Sequence, residues 1–161
     1  MKISMKAEGT EKVKAMLKEL GDKSEGIAKR GLYEGAGVIA DRLKDAAGSI
    51  KTEEFHGKQE SRKPSPEEKA IVEAAKVGIA KFRTTRTKVN TSIGYRNAGY
   101  ATLGTKRVPI PKIVNAINSG TSFMPKQPFI RRAASKAKAA STQAIVDRIE
   151  ADVNNITGGN K

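Results

Sequence analysis

Asn118-Ser119-Gly120-Thr121-Ser122-Phe123-Met124-Pro125-Lys126-Gln127-Pro128-Phe129-Ile130-Arg131-Arg132-Ala133 is the stretch on which the reading of this chain turns. Gly120 follows an apolar-periodic run and is placed to end a helix. Pro125 and Pro128 each fix a backbone angle and withdraw an amide donor, so they stiffen an extended link. Phe129 falls where the next periodic segment begins, and a large apolar residue there is expected to plug the core. The stretch therefore reads as a structural junction rather than a catalytic loop.

Working upstream, Pro111 opens a short helix with Ile113, Val114 and Ile117 on its inner side. Downstream, Pro128 starts the last and longest helix. Its stripe of Ile130, Ala134, Ala137, Ser141, Ile145, Ile149, Val153 and Ile156 keeps the helical period over about seven turns. The Ala-rich first half of that stripe allows close helix–helix contact. A polar tail over about 155–161 is expected to fray.

At the other end, residues 1–8 alternate, with Ile3, Met5 and Ala7 on one side, which predicts a half-buried strand. Thr10 can cap a short helix carrying Val13, Met16, Leu17 and Leu20, with Gly21 just past its end. Ser24 can cap a second, longer helix to about Gly48, with a stripe of Ala28, Leu32, Ala36, Ile39, Leu43 and Ala46. Gly26, Gly31, Gly35 and Gly37 lie inside it. Each costs about 1 kcal/mol relative to Ala in a helix interior, so close packing against another backbone is expected to offset them.

Between these segments, residues 49–65 are polar and aperiodic. Ser65-Pro66-Glu67-Glu68 then joins a Ser cap, a Pro at the first helical position and a Glu at the third, a strong start signal for a helix to about Lys76. Residues 77–83 and 89–95 have strand character, and 96–111 is turn-rich. The expected fold class is α+β, a small mostly antiparallel sheet packed against two long helices, with an extended β-hairpin and loop region. One domain over 1–161 is expected, with a mobile or inserted region at about 49–76. The loops 49–65 and 96–110 are expected to order only on assembly.

The chain has 161 residues, 37% of them hydrophobic and only 4% aromatic, with no Trp. That supply predicts a small core that gains from burial against neighbouring subunits. With no Cys, a disulfide scaffold, a thiolate metal site and a Cys nucleophile are excluded. The single histidine, His56, has Glu53, Glu54 and Glu60 nearby, which falls short of a locked set of metal ligands. No phosphate loop, dinucleotide fingerprint or nucleophile elbow occurs. No enzyme, no cofactor and no metal are expected. The start of the chain lacks the apolar core of a signal peptide, and no stretch is apolar enough to span a membrane, so a cytoplasmic setting is expected.

Charge is the strongest compositional feature. There are 31 Lys and Arg against 17 Asp and Glu, a net charge of +14. Residues 1–60 hold 12 basic and 11 acidic groups, 61–110 hold 11 and 3, and 111–161 hold 8 and 3. Lys81, Arg83, Arg86 and Lys88 fall within eight residues, with Phe82 among them. Such a cluster can grip phosphates without reading sequence, or can simply be a solvated hairpin tip.

The 118–133 stretch resembles the G-T-x-x-M-P-A-x-P-F-[LI]-R-P-A segment of tail-completion, or head–tail joining, proteins of long-tailed bacteriophages. The matching positions are Gly120, Thr121, Met124, Pro125, Pro128 and Phe129, followed by Ile130, Arg131 and Ala133. Lys126 stands where that family has a small residue, and Arg132 where a Pro is common. The usual acidic residue before the Gly-Thr pair is replaced by Asn115 or Asn118. The element order is also similar to the family's, with Glu34-Gly35-Ala36-Gly37-Val38-Ile39-Ala40 like part of its long helix, and the Ser65–Lys76 helix like an insertion.

The resemblance implies a structural virion protein of the phage neck that joins the head connector to the tail tube. It implies a ring oligomer, a hexamer, around the DNA channel, found in the virion at the neck or top of the tail and in host cytoplasm during assembly. Partners would be further copies of the chain and the neighbouring connector and tail-tube proteins, with no membrane. Basic residues expected to face DNA or a partner are Arg83, Arg86, Lys88, Arg96, Lys106 and Arg107. The alternative is a non-specific nucleic-acid-binding protein.

Overall fold

The computed structural model describes residues 10–53, 62–85 and 88–158. Its elements, in chain order, are α1 (Thr10–Ala47), α2 (Pro66–Ala74), β1 (Gly78–Ile79), β2 (Arg83–Thr84), β3 (Val89–Asn90), β4 (Ile93–Gly94), β5 (Tyr100–Leu103), β6 (Lys106–Pro109), α3 (Ile110–Ser119) and α4 (Phe129–Thr157). All strand pairing is antiparallel. The class is α+β, as expected, with the two long helices packed on each other. The strand expected over residues 1–8, His56, Arg86 and the last three residues lie outside the described residues.

α1 and α4 run antiparallel, and the glycines explain how closely they meet. A Cβ on Gly35 would lie 2.5 Å from Ile145 Cγ1 and 2.9 Å from the Ser141 carbonyl oxygen. One on Gly31 would lie 2.9 Å from Ile149 Cγ1. The Ser141 hydroxyl donates to the Gly35 carbonyl at 2.9 Å. The contact expected to offset the glycines is therefore made at Gly31 and Gly35. Gly37 faces open space. The buried face of α1 runs through Ile27, Ala36, Ala40, Leu43 and Ala47, rotated toward the glycines from the stripe drawn in sequence.

The break expected at Gly21 does not occur, because α1 is one helix of 38 residues. A single Gly weakens a helix without supplying an alternative path for the chain, and no Pro follows to force one. Ion pairs Lys23–Glu19 and Lys29–Glu25 span the region, and Ser24 donates to the Gly21 carbonyl instead of capping a new helix. At the other end, α4 stays helical through Thr157 before Gly158 takes a left-handed φ of 74°.

The core lies where the C-terminal end of α1, α2, α3 and the start of α4 converge. Ile50, Val72, Tyr95, Ile113, Val114, Ile117, Met124 and Phe129 fill it. α2 begins as its sequence indicated. The Ser65 hydroxyl accepts from the Glu68 amide at 3.1 Å, and a Glu68 carboxylate oxygen accepts from the Ser65 amide at 2.8 Å. β1–β4 and β2–β3 are two parts of one long hairpin, in register Ile79↔Ile93 and Arg83↔Asn90. The sequence of 96–110 suggested only a turn-rich loop. Instead β5 and β6 form a second hairpin, with Leu103↔Lys106 flanking a two-residue turn at Gly104, whose φ is 59°. That pairing removes the reason to expect this segment to order only on assembly.

Candidate partner and nucleic-acid interface

The Gly120–Phe129 link is built from local hydrogen bonds that its residues make necessary. Gly120 ends α3 with φ 80°, and its amide donates to the Ala116 carbonyl at 2.9 Å. A Cβ there would lie 2.9 Å from both the Lys126 amide nitrogen and the Met124 carbonyl oxygen, so only glycine fits. Thr121 and Met124 exchange amide-to-carbonyl bonds at 2.9 and 3.3 Å, and the Thr121 hydroxyl accepts from the Phe123 amide. Met124 turns inward and is buried, while Phe123 is 66% exposed at the tip. Phe129 is buried edge-on against Tyr95, ring centroids 6.3 Å apart. The Tyr95 hydroxyl donates to the Leu43 carbonyl, and burial raises its pKa. Pro125 is exposed, and Pro128 is the N-cap residue of α4.

Some of the residues holding this junction carry no signal in the sequence. The Gln127 amide group pairs with the backbone of Lys51 in both directions, accepting at 2.9 Å and donating at 2.8 Å. It thereby ties the link to the chain just after α1. Asn118 accepts from the Ile130 amide at 3.2 Å and so caps α4. Arg62 grips Glu68 with two bonds of 2.7 and 2.8 Å. Burial of Glu68 opposes its ionisation, but Arg62 and the Ser65 amide outweigh that and hold its pKa low. Only the Ser-to-Glu spacing hinted at any of these.

The basic residues proposed from sequence do not gather at one point. Arg83 and Lys88 are exposed near the tip of the first hairpin, which lies along α1, where the Thr84 hydroxyl donates to Glu25 at 2.9 Å. Lys81, Arg83 and Arg96 share a shallow groove of about 320 Å³ on the hairpin's outer side, with Phe82, Asn90 and Ser92. Lys106 and Arg107 are exposed on the second hairpin. The Arg107 guanidinium stacks on the Tyr100 ring at 4.8 Å from its centroid.

The structure also shows a second basic surface. Arg131, Arg132, Lys136 and Lys138 are all exposed on the first turns of α4, which has no acidic residue in its first turn. Positive charge at a helix N-terminus opposes the helix dipole. The sequence held a signal for the wider field: from Ala74 to Val146 there are 14 Lys and Arg and no Asp or Glu. That stretch alone accounts for the net charge of +14.

Among the described residues, no group of three His, Cys, Asp or Glu side chains could hold a metal, and no helix is long and apolar enough to cross a membrane. No family model, curated protein or solved structure matches the chain.

Proposed function

We propose that the protein is a structural subunit of a phage neck, a ring component that joins the head connector to the tail tube around the DNA channel. The observation that carries the reading is the junction. The residues that resemble the tail-completion motif, Gly120, Thr121, Met124, Phe129 and the two prolines, make or flank a rigid link between α3 and α4. A small core and an exposed Phe123 on a fixed turn suit a subunit that completes its burial against neighbours. The groove lined by Lys81, Arg83 and Arg96 suits a wall that passes DNA without holding it, since phosphate contacts are sequence-blind and salt-screened. Electron microscopy of virions carrying a labelled copy of this chain tests the reading. Label at the head–tail joint is expected, and label absent from particles overturns it.

The long acid-free basic stretch favours a second reading, a protein that binds nucleic acid without sequence preference. That protein would bind duplex DNA as an isolated subunit, with affinity falling steeply as salt rises. A neck subunit is instead expected to form rings, seen by light scattering and negative-stain microscopy, whether or not DNA is present.

A further inference from the structure

α1 outruns the helix that covers it. Gly31 lies against Ile149 and Gly35 against Ile145, so the two helices pair in steps of four, and Thr157, the last residue of α4, comes level with Lys23. Residues 10–22, about 20 Å of helix at 1.5 Å per residue, continue past that end. Their apolar stripe continues too. Leu17 and Leu20 prolong, at helical spacing through Ser24, the buried line of Ile27 and Gly31, and Val13 keeps the same spacing in the sequence. Among the described residues Leu20 is half-buried and Leu17 is 63% exposed. Residues 158–161, Gly-Gly-Asn-Lys, bring no apolar side chain to lengthen the cover from α4. We propose that this stripe is the docking site of the chain's own residues 3–7, turned back at Gly9 and laid along α1 as an extended strand.

Three features single out this occupant. The first is pattern. Ile3, Met5 and Ala7 alternate with Ser4 and Lys6, so an extended backbone turns the three apolar residues to one face and leaves the polar pair to water. The second is length. With Glu8 and Gly9 used to reverse direction, a strand rising about 3.3 Å per residue puts Ala7, Met5 and Ile3 about 3, 10 and 17 Å back along the helix from Thr10. The helical positions 13, 17 and 20 stand about 4.5, 10.5 and 15 Å from Thr10. The two rows agree to within about 2 Å, which sets Met5 over Leu17 and Ile3 over Leu20. The third is the tether. Residues 3–7 join the chain beside the stripe, at an effective concentration of about millimolar or more. A second copy must arrive from solution, and a charge of +14 on each copy opposes its approach. The inference concerns α1 and the segment before it, and does not depend on the neck reading.

The chain has no cysteine, so paired substitutions report the contact directly. M5C with L17C in the full chain should close an intramolecular disulfide on mild air oxidation, read as a fast-migrating monomer on non-reducing electrophoresis with both thiols lost. I3C with L20C should do the same. S4C with L17C and K6C with L17C have tethers of nearly the same length but sit on the other face of the strand, and should close about tenfold more slowly. A second measurement leaves α1 unaltered. M5D should speed trypsin cleavage after Lys6 by about tenfold, because a charge cannot stay on the stripe, whereas S4D should leave the rate unchanged. Circular dichroism checks that each variant keeps its helices. Equal closure of the same-face and opposite-face pairs overturns the proposal, and so does trypsin that cuts wild type as fast as M5D. Disulfides formed between chains instead of within one, at micromolar protein, also overturn it, since the stripe would then belong to a second copy. Failure to form rings would sink the neck reading and leave this result standing.

Discussion

Gly35 and Gly37 lie two positions apart in α1 and should answer the same substitution in opposite ways. Gly37→Ala adds a methyl to open space and gains about 0.5–1 kcal/mol of helix propensity. Gly35→Ala drives a methyl into Ile145 and the Ser141 carbonyl, and an overpacked contact of that kind costs about 1–3 kcal/mol. Thermal melts of the two variants should shift in opposite directions. Phe129→Ala removes a buried ring that touches Tyr95 and should lose about 3–5 kcal/mol in urea unfolding. Glu68 sets a pH dependence. Its pKa is lowered from 4.5 in the folded chain, so its pairing with Arg62 stabilises the fold fully above the ordinary carboxylate range. That share is lost as pH falls through the lowered value. Glu68→Gln should therefore be less stable at neutral pH and should flatten the acid limb of a stability–pH curve.

At the scale of the element, the sequence disclosed some features and hid others for physical reasons. Local signals held where one short-range interaction decides the outcome. The Ser65 capping box, the Pro111 start and the Gly120 stop all stand as expected. The signal at Gly21 failed because a glycine is permissive and does not compel a helix to end. The second hairpin was hidden because its strands have four residues each and are punctuated by Gly99, Gly104 and Pro109. The alternation of half-buried Ala101 and Leu103 with exposed Tyr100 and Thr102 was nonetheless present. The clamp from Gln127 to Lys51 spans 76 positions, and nothing local foretells such a pairing. It makes a further prediction at this scale. Gln127→Ala leaves the Lys51 amide and carbonyl without their partner and should cost about 1–2 kcal/mol, whereas Gln143→Ala, exposed on α4, should stay within about 0.5 kcal/mol of wild type.

For the whole molecule, what could be read from sequence was the sign and location of charge, and what could not was how folding would divide it. The chain places its bases on two hairpins and on the front of α4, rather than on one patch. The division lets nucleic-acid and protein contacts be tested separately. On the proposed neck reading, neutralising Arg83, Arg86 and Lys88 together should leave particles joined but poor at DNA delivery if the first hairpin faces the channel. Heads and tails recovered apart would assign those residues to docking instead, and counts of joined particles by electron microscopy distinguish the two.

The antiparallel seating of α1 on α4 also has a consequence in time. Arg30 meets its partner Asp152 across 122 positions of chain. At about 5–20 residues added per second, a ribosome needs roughly 6–25 s to supply α4 after Arg30 has been made. During that interval the glycine-lined face of α1 has been synthesised but has nothing to close it. A nascent chain stopped before residue 129 should therefore be held by cellular chaperones and be easily digested, and resistance to protease should appear only once the last helix has been released.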